Sequence, residues 1–320
     1  RAAMELALSY EQNGSVEAGE NLLKDLGVRS EQDPEIIRKV IQLYIDPEQY
    51  DDAIVVLEGM LKGMPDSSDL QYLAGVSYDG KGDDDKAMAY FKRVTPDNRF
   101  YENAVVQIAI GYQEQKKITE AIAHIKMAIE NTPSNPEFML YLGSFYEEIK
   151  AYDEAETALK KGLDIDPGHI RIHFRLGVVY DKWGKKSEAI AYMQKVIALD
   201  PENANALNYL GYTYADMGTN LDEAESLIRE ALKYKPDDGY ITDSLGWVLY
   251  KKGLFQEALI YLEKAVKLTA DDPIILEHLG DVYLQINDRE NALKYYQESL
   301  RIKTEDTQSL ENKINDLLEL

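Results

Sequence analysis

Apolar residues in this chain fall on helical faces, and those faces return at a fixed stride. In residues 136–169, Met139, Leu142, Gly143 and Tyr146 stand at i, i+3, i+4 and i+7, one side of an α-helix. A break follows at Lys150-Ala151-Tyr152-Asp153, and then Ala155, Leu159 and Leu163 mark a second amphipathic helix. Pro167 stops it, because proline lacks an amide hydrogen and clashes with the preceding turn. The stretch predicts two helices joined by a short turn.

The same arrangement runs through the whole sequence. Leu142-Gly143, Leu176-Gly177, Leu210-Gly211, Leu245-Gly246 and Leu279-Gly280 recur at spacings of 34, 34, 35 and 34. Three residues beyond each glycine stand Tyr146, Tyr180, Tyr214, Leu249 and Tyr283, and the same slot upstream holds Tyr112, Tyr78, Tyr44 and Tyr10. A second slot carries Ala53, Ala87, Ala121, Ala155, Ala189, Ala258 and Ala292, with Ala224 displaced by a one-residue insertion and Gly19 in the first copy. A third carries Pro65, Pro133, Pro167, Pro201 and Pro236. Glycine and alanine remove bulk where two helix axes approach closely, and the tyrosine fills the adjacent hole with an apolar body and a polar tip.

On these slots the chain resembles the tetratricopeptide-repeat (TPR) family, whose motif orders a large residue, Leu-Gly, Tyr, Ala and Pro through 34 positions. The resemblance implies an all-α fold, a right-handed superhelical solenoid of helix-turn-helix repeats. Nine are placed at 1–33, 34–67, 68–101, 102–135, 136–169, 170–203, 204–238, 239–272 and 273–306. Residues 307–320, with Leu310, Ile314 and Leu317, read as a capping helix, since each unit of a solenoid buries its core only against neighbours. Two copies depart. Pro96 arrives three residues early and is followed by Asp97-Asn98-Arg99-Phe100, which shortens a second helix, and Gly218-Thr219-Asn220 lengthens a turn. The copies from 204 onward resemble TPR stretches of bacterial proteins.

Charge narrows the partners. The chain has 320 residues, with 58 acidic against 35 basic side chains and a net charge of −23, a surface that repels a phosphate backbone. No apolar run is long enough to span a membrane. Cysteine is absent, which removes disulfides, thiolate metal sites and a cysteine nucleophile. Residue 1 is an arginine already inside a helical pattern, so the chain reads as an excised fragment, with any targeting segment or flanking domain outside it. A bacterial cytoplasm or cell envelope is compatible with this composition.

Catalytic chemistry is thin. His169 and His173 stand four apart, a metal-sharing spacing on a helix, but no third ligand accompanies them. Asp83-Asp84-Asp85 lacks the glycine and terminal glutamate of a calcium loop and reads as helix capping with first-turn charge. No phosphate loop, dinucleotide fingerprint or nucleophile elbow occurs. The expectation is a protein that is not an enzyme and needs no cofactor or metal.

The resemblance also implies where a partner lies: the first helices of successive TPR repeats line a concave groove. Upstream, that face includes Tyr72, Val106, Ile110 and Leu140. From 170 onward it changes to Arg171, Phe174, Arg175 and Val178, then Asn205, Asn208, Tyr209 and Tyr212, then Tyr240, Asp243 and Trp247. Copy 170–203 has six basic and four acidic side chains and is the only net-positive one. Arginine grips carboxylates, asparagine bonds a peptide backbone on both sides, and aromatics anchor interfaces. The expected function is a scaffold that holds a peptide or helix of a partner protein. Inter-repeat packing of the same aromatics is the plainer alternative. Self-assembly into homo-oligomers, or service as the adaptor arm of a larger enzyme, are the other readings. The two-carboxylate clamp of some TPR proteins is not reproduced in any three consecutive copies.

Overall fold

A computed structural model of the chain describes residues 1–269, 271–305 and 307–318, and every regular element among them is helical. It divides into two compact units, Arg1–Asp166 and Pro167–Leu320.

In the first unit the helices are α1 (Ala2–Gln12), α2 (Val16–Ser30), α3 (Pro34–Val40), α4 (Tyr50–Leu61) and α5 (Ser68–Gly80). They continue with α6 (Asp84–Phe91), α7 (Tyr101–Glu114), α8 (Ile118–Asn131), α9 (Pro136–Glu148) and α10 (Tyr152–Ile165). α3 runs on as a wider π-helical turn, Ile41–Ile45. The second unit holds α11 (Ile170–Lys182), α12 (Lys186–Leu199), α13 (Ala204–Asp216), α14 (Leu221–Tyr234) and α15 (Gly239–Lys251). α16 (Phe255–Leu268), α17 (Pro273–Gln285), α18 (Arg289–Ile302) and α19 (Gln308–Leu318) complete it. Within each unit, helices pack pairwise with their sequence neighbours, and a first helix also touches the next first helix, as α13 does α15 and α15 does α17. Each pair has one face apolar and buries it against the pair beside it.

The glycine slot works as a contact point between paired helices. A Cβ on Gly143 would lie 2.4 Å from Leu159 Cγ, on Gly246 2.5 Å from Leu262 Cγ, and on Gly280 2.5 Å from the Tyr296 ring. The side chain facing each glycine stands sixteen residues on, in the second helix of the same pair. The turn between paired helices has its own requirement, a left-handed residue just after the first helix. Gly82, Gly184, Gly218 and Gly253 meet it with φ between 67° and 80°, but Lys116, Lys150 and Asn287 do so with a side chain, at φ 59°, 59° and 66°. The inserted residue at 218–220 adds a second left-handed position, Asn220 at φ 50°.

Four of the first helices are capped by side-chain oxygens at their N-termini: Asn135 for α9, Asn203 for α13, Asp238 for α15 and Asp272 for α17. Asp83 caps α6, accepting from the Lys86 amide, with Asp84 and Asp85 in the first turn. Of the predicted cap 307–320, α19 covers Gln308–Leu318, with Leu310 and Ile314 buried, and residues 319 and 320 lie outside the described residues. Residues 270 and 306, inside the predicted repeats 239–272 and 273–306, also lie outside them.

The early proline shortens its helix as expected: α6 is 8 residues long, against 14 for α8. The freed chain folds back on α5. Thr95 N donates to Ser68 Oγ (3.1 Å), Asn98 Nδ2 and Arg99 Nη2 donate to the two oxygens of Asp69 (2.7 and 2.5 Å), and Phe100 stacks on Tyr72 at 4.5 Å. Tyr72, expected on an open inner face, is covered by this loop.

Candidate functional site

The residues singled out between 171 and 247 sit on three first helices of the second unit, α11, α13 and α15. Arg171, Asn205 and Tyr240 occupy the same slot near the helix starts, and all three are exposed, Tyr240 to 58%. Asn205 Oδ1 accepts from Lys235 Nζ at 2.9 Å. One turn further in, Phe174, Arg175, Val178, Asn208, Tyr209 and Tyr212 are half-buried. Phe174 meets Tyr209 edge-on at 6.0 Å, and the Tyr209 hydroxyl donates to Asp181 Oδ2 at 2.7 Å, which ties α13 to α11. Burial, with the carboxylates of Asp216, Asp243 and Asp181 nearby, pushes the Tyr212 phenol up to about 12, so it stays neutral over the physiological range. The oxygen of Asn208 is enclosed without a hydrogen-bond partner, as is the indole nitrogen of Trp247.

Asp243 departs from the expectation of a ligand-facing residue. Its slot looks across to the next first helix, so the residue is only 6% exposed and its carboxylate accepts from His278 Nδ1 of α17 at 2.9 Å. A carboxylate this buried needs a donor, and His278 supplies it. Trp247 is likewise enclosed by neighbours, stacked on His278 at 4.1 Å and on Tyr250 at 5.0 Å, with Lys251 Nζ 4.9 Å over its ring. In these two residues the inter-helix packing reading prevails. Sequence reasoning stopped short of Ile274, 53% exposed, which extends the slot of Arg171, Asn205 and Tyr240 onto α17. The 34-residue stride from Tyr240 would have found it.

In the first unit the corresponding face holds a concavity of about 360 Å³ between α7 and α9. Val106, Ile110 and Tyr141 line it with the amides of Asn103 and Gln107. Leu140, expected on the same face, is buried at 4%. The paired histidines have local tasks: His169 Nδ1 accepts the Ile172 amide at the start of α11, and His173 Nε2 donates to the Pro167 carbonyl at 2.9 Å. Among the described residues no three His, Cys, Asp or Glu side chains are grouped to hold a metal ion, and no helix is long and apolar enough to cross a membrane.

Sequence profiles described as tetratricopeptide repeat match residues 44–107, 112–181, 170–203, 192–226 and 212–312. The chain belongs to the tetratricopeptide-repeat family. Over 57 residues it is 51% identical to the TPR repeat-containing protein PA4667 of Pseudomonas aeruginosa, a bacterial relative; the match covers 18% of this chain and 10% of that protein. Among solved structures, a tetratricopeptide repeat protein from Parabacteroides merdae aligns with TM-score 0.62 and 16% identity over 79% of this chain and 99% of its own. The type IV pilus biogenesis factor PilW aligns with TM-score 0.59 and 21% identity, over 68% and 99%. The APC/C hetero-tetramer Cut9-Hcn1 contains a chain that aligns with TM-score 0.64 and 18% identity, over 99% of this chain and 63% of that one. At these identities the likeness concerns the fold.

Proposed function

We propose that this chain is a non-catalytic scaffold that binds a segment of a partner protein along the inner face of its first helices. The observation that carries the reading is the strip formed by Arg171, Asn205, Tyr240 and Ile274, one exposed side chain from each of four first helices, backed by half-buried Phe174, Asn208 and Tyr212. Its chemistry is that of an interface: a guanidinium for carboxylates, amides for a peptide backbone and aromatic area for anchoring. The wall behind it is held by Tyr209–Asp181 and by His278–Asp243 before any ligand arrives, so ordering falls mainly on the partner. PilW, a type IV pilus biogenesis factor, and a chain of the APC/C hetero-tetramer Cut9-Hcn1 share this fold, which favours a role in protein assembly here.

The double substitution Arg171→Glu/Tyr240→Ser tests it. In affinity capture from the native cell, the partners retained by the unaltered chain are lost from the variant, while its helical circular dichroism is unchanged. Retention of the same partners by a folded variant rules out this strip.

A further inference from the structure

The tyrosine slot has a second regularity, visible only once the helices are paired. In three copies the tyrosine is stacked on another tyrosine twelve residues on, in the second helix of its pair. Tyr78 lies on Tyr90 at 5.4 Å, Tyr180 on Tyr192 at 5.4 Å and Tyr283 on Tyr295 at 5.5 Å, with ring planes within 22° of parallel. Tyr112 meets His124 edge-on at 6.2 Å. The remaining copies put Leu22, Val56, Leu227 and Tyr261 in that place, all large. Copy 136–169 alone has a methyl group there: the residue facing Tyr146 is Ala158.

A cleft of about 540 Å³ opens at that spot, between α8 and α10 with α9 as its floor. Met139, Leu142, Tyr146 and Ala158 form its apolar base, and the rim is mixed in charge, with Lys126 and Lys161 beside Glu130, Asp153 and Glu154. The residue beside the tyrosine varies among copies. Where Tyr78 and Tyr283 donate their hydroxyls to Glu58 and Glu263 of the preceding pair, the residue in the same position beside Tyr146 is Lys126, whose ammonium lies 5.3 Å over the ring. What sets this copy apart is the missing ring at Ala158; the lysine is shared with Tyr112, where Lys92 Nζ lies 5.0 Å over the ring. None of the residues of the proposed strip lines the cleft.

We propose that this cleft is a second binding site, which receives a tyrosine side chain of a partner protein. The three stacked pairs give the pose: the incoming ring lies on Tyr146 over Ala158, as Tyr90 lies on Tyr78. Its hydroxyl accepts from Lys126, which moves from the ring face to the ring edge. The apolar base takes the body of the ring, and Lys126 favours an aromatic that carries an acceptor over a bare hydrocarbon.

The site can be tested without knowing the partner. Chain labelled with 13C at alanine, methionine and leucine methyls is titrated with N-acetyl-L-tyrosinamide, with N-acetyl-L-leucinamide as the aliphatic comparison. Saturable shifts are expected at the Ala158, Met139 and Leu142 methyls for tyrosinamide, and much weaker ones for leucinamide. Ala158→Tyr fills the cleft with the residue found in the stacked copies, and binding weakens at least about tenfold. Ala158→Leu, matching Leu227, is the second filling variant should tyrosine disturb folding. No methyl shift with tyrosinamide, equal shifts with leucinamide, or undiminished binding to a folded filled variant overturns the proposal.

Discussion

His278 of α17 holds the buried carboxylate of Asp243 on α15, Nδ1 to Oδ1 at 2.9 Å, across the seam between two first helices. Both side chains are 8% exposed, so the pair is fixed within the wall. His278→Ala strands Asp243 without its donor and also removes the ring under Trp247, and chemical denaturation should show a loss of about 2–3 kcal/mol. Asp243→Asn/His278→Gln, which keeps a neutral hydrogen bond, should recover part of it. A single His278→Ala variant of unchanged stability would mean that the pair does not hold the seam.

Gly246→Ala adds one methyl group where Leu262 already stands, 2.5 Å from the new carbon. Overpacking at such a contact costs roughly 1–3 kcal/mol, more than alanine gains in helix propensity. The melting temperature should fall, and Gly246→Ala/Leu262→Ala should not be additive with the single variants, because the two positions share one contact.

Lys150 sits at φ 59° in a turn where five other copies have glycine. A left-handed conformation costs an ordinary residue roughly 1–2 kcal/mol, and glycine adopts it freely at some expense in unfolded-state entropy. Lys150→Gly is therefore expected to stabilise the first unit by about 0.5–1 kcal/mol in a denaturant titration, and Lys150→Val to destabilise it.

The capping helix is sensitive to acid. Burial opposes ionisation of Glu277, but Lys313 and Lys303 outweigh it and hold the carboxyl below its ordinary value. Lys313 Nζ lies 2.9 Å from Glu277 and 2.6 Å from Asp281, which binds α19 to α17. A lowered carboxyl contributes stability that is complete above its unfolded value, near 4.3, and disappears as the pH falls through its lower folded value. The protection of α19 amides from exchange, taken relative to the intrinsic rate at each pH, should fall below about pH 4. In Lys313→Met it should already be lower at neutral pH and depend less on acid.

Much of the fold was legible because each repeat states it again. The Leu-Gly and tyrosine slots mark a close approach and the hole beside it, and the contacts at Gly143 and Gly280 are those the slots imply. The turn geometry was half legible: glycines 82, 184, 218 and 253 announce a left-handed residue, while Lys116 and Lys150 conceal the same conformation behind an ordinary side chain. The site was read less well. Asp243 reads from the sequence as a groove residue, because its partner, His278, is 35 positions away in another copy and the two make sense only as neighbours. Ala158 carries no signal in the sequence, because alanine is common in any helix. What it lacks shows only against the stacked pairs at Tyr90, Tyr192 and Tyr295.

The most direct test of the scaffold is photo-crosslinking in the native cell, with p-benzoylphenylalanine placed at Tyr240 on α15 or, separately, at Ile260 on α16. Both positions are well exposed, at 58% and 65%, but only the first lies on the strip of first-helix side chains. Protein adducts at 240 and few at 260 are the predicted result. Adducts equally abundant at both, or absent at 240, would contradict a partner held along the first helices.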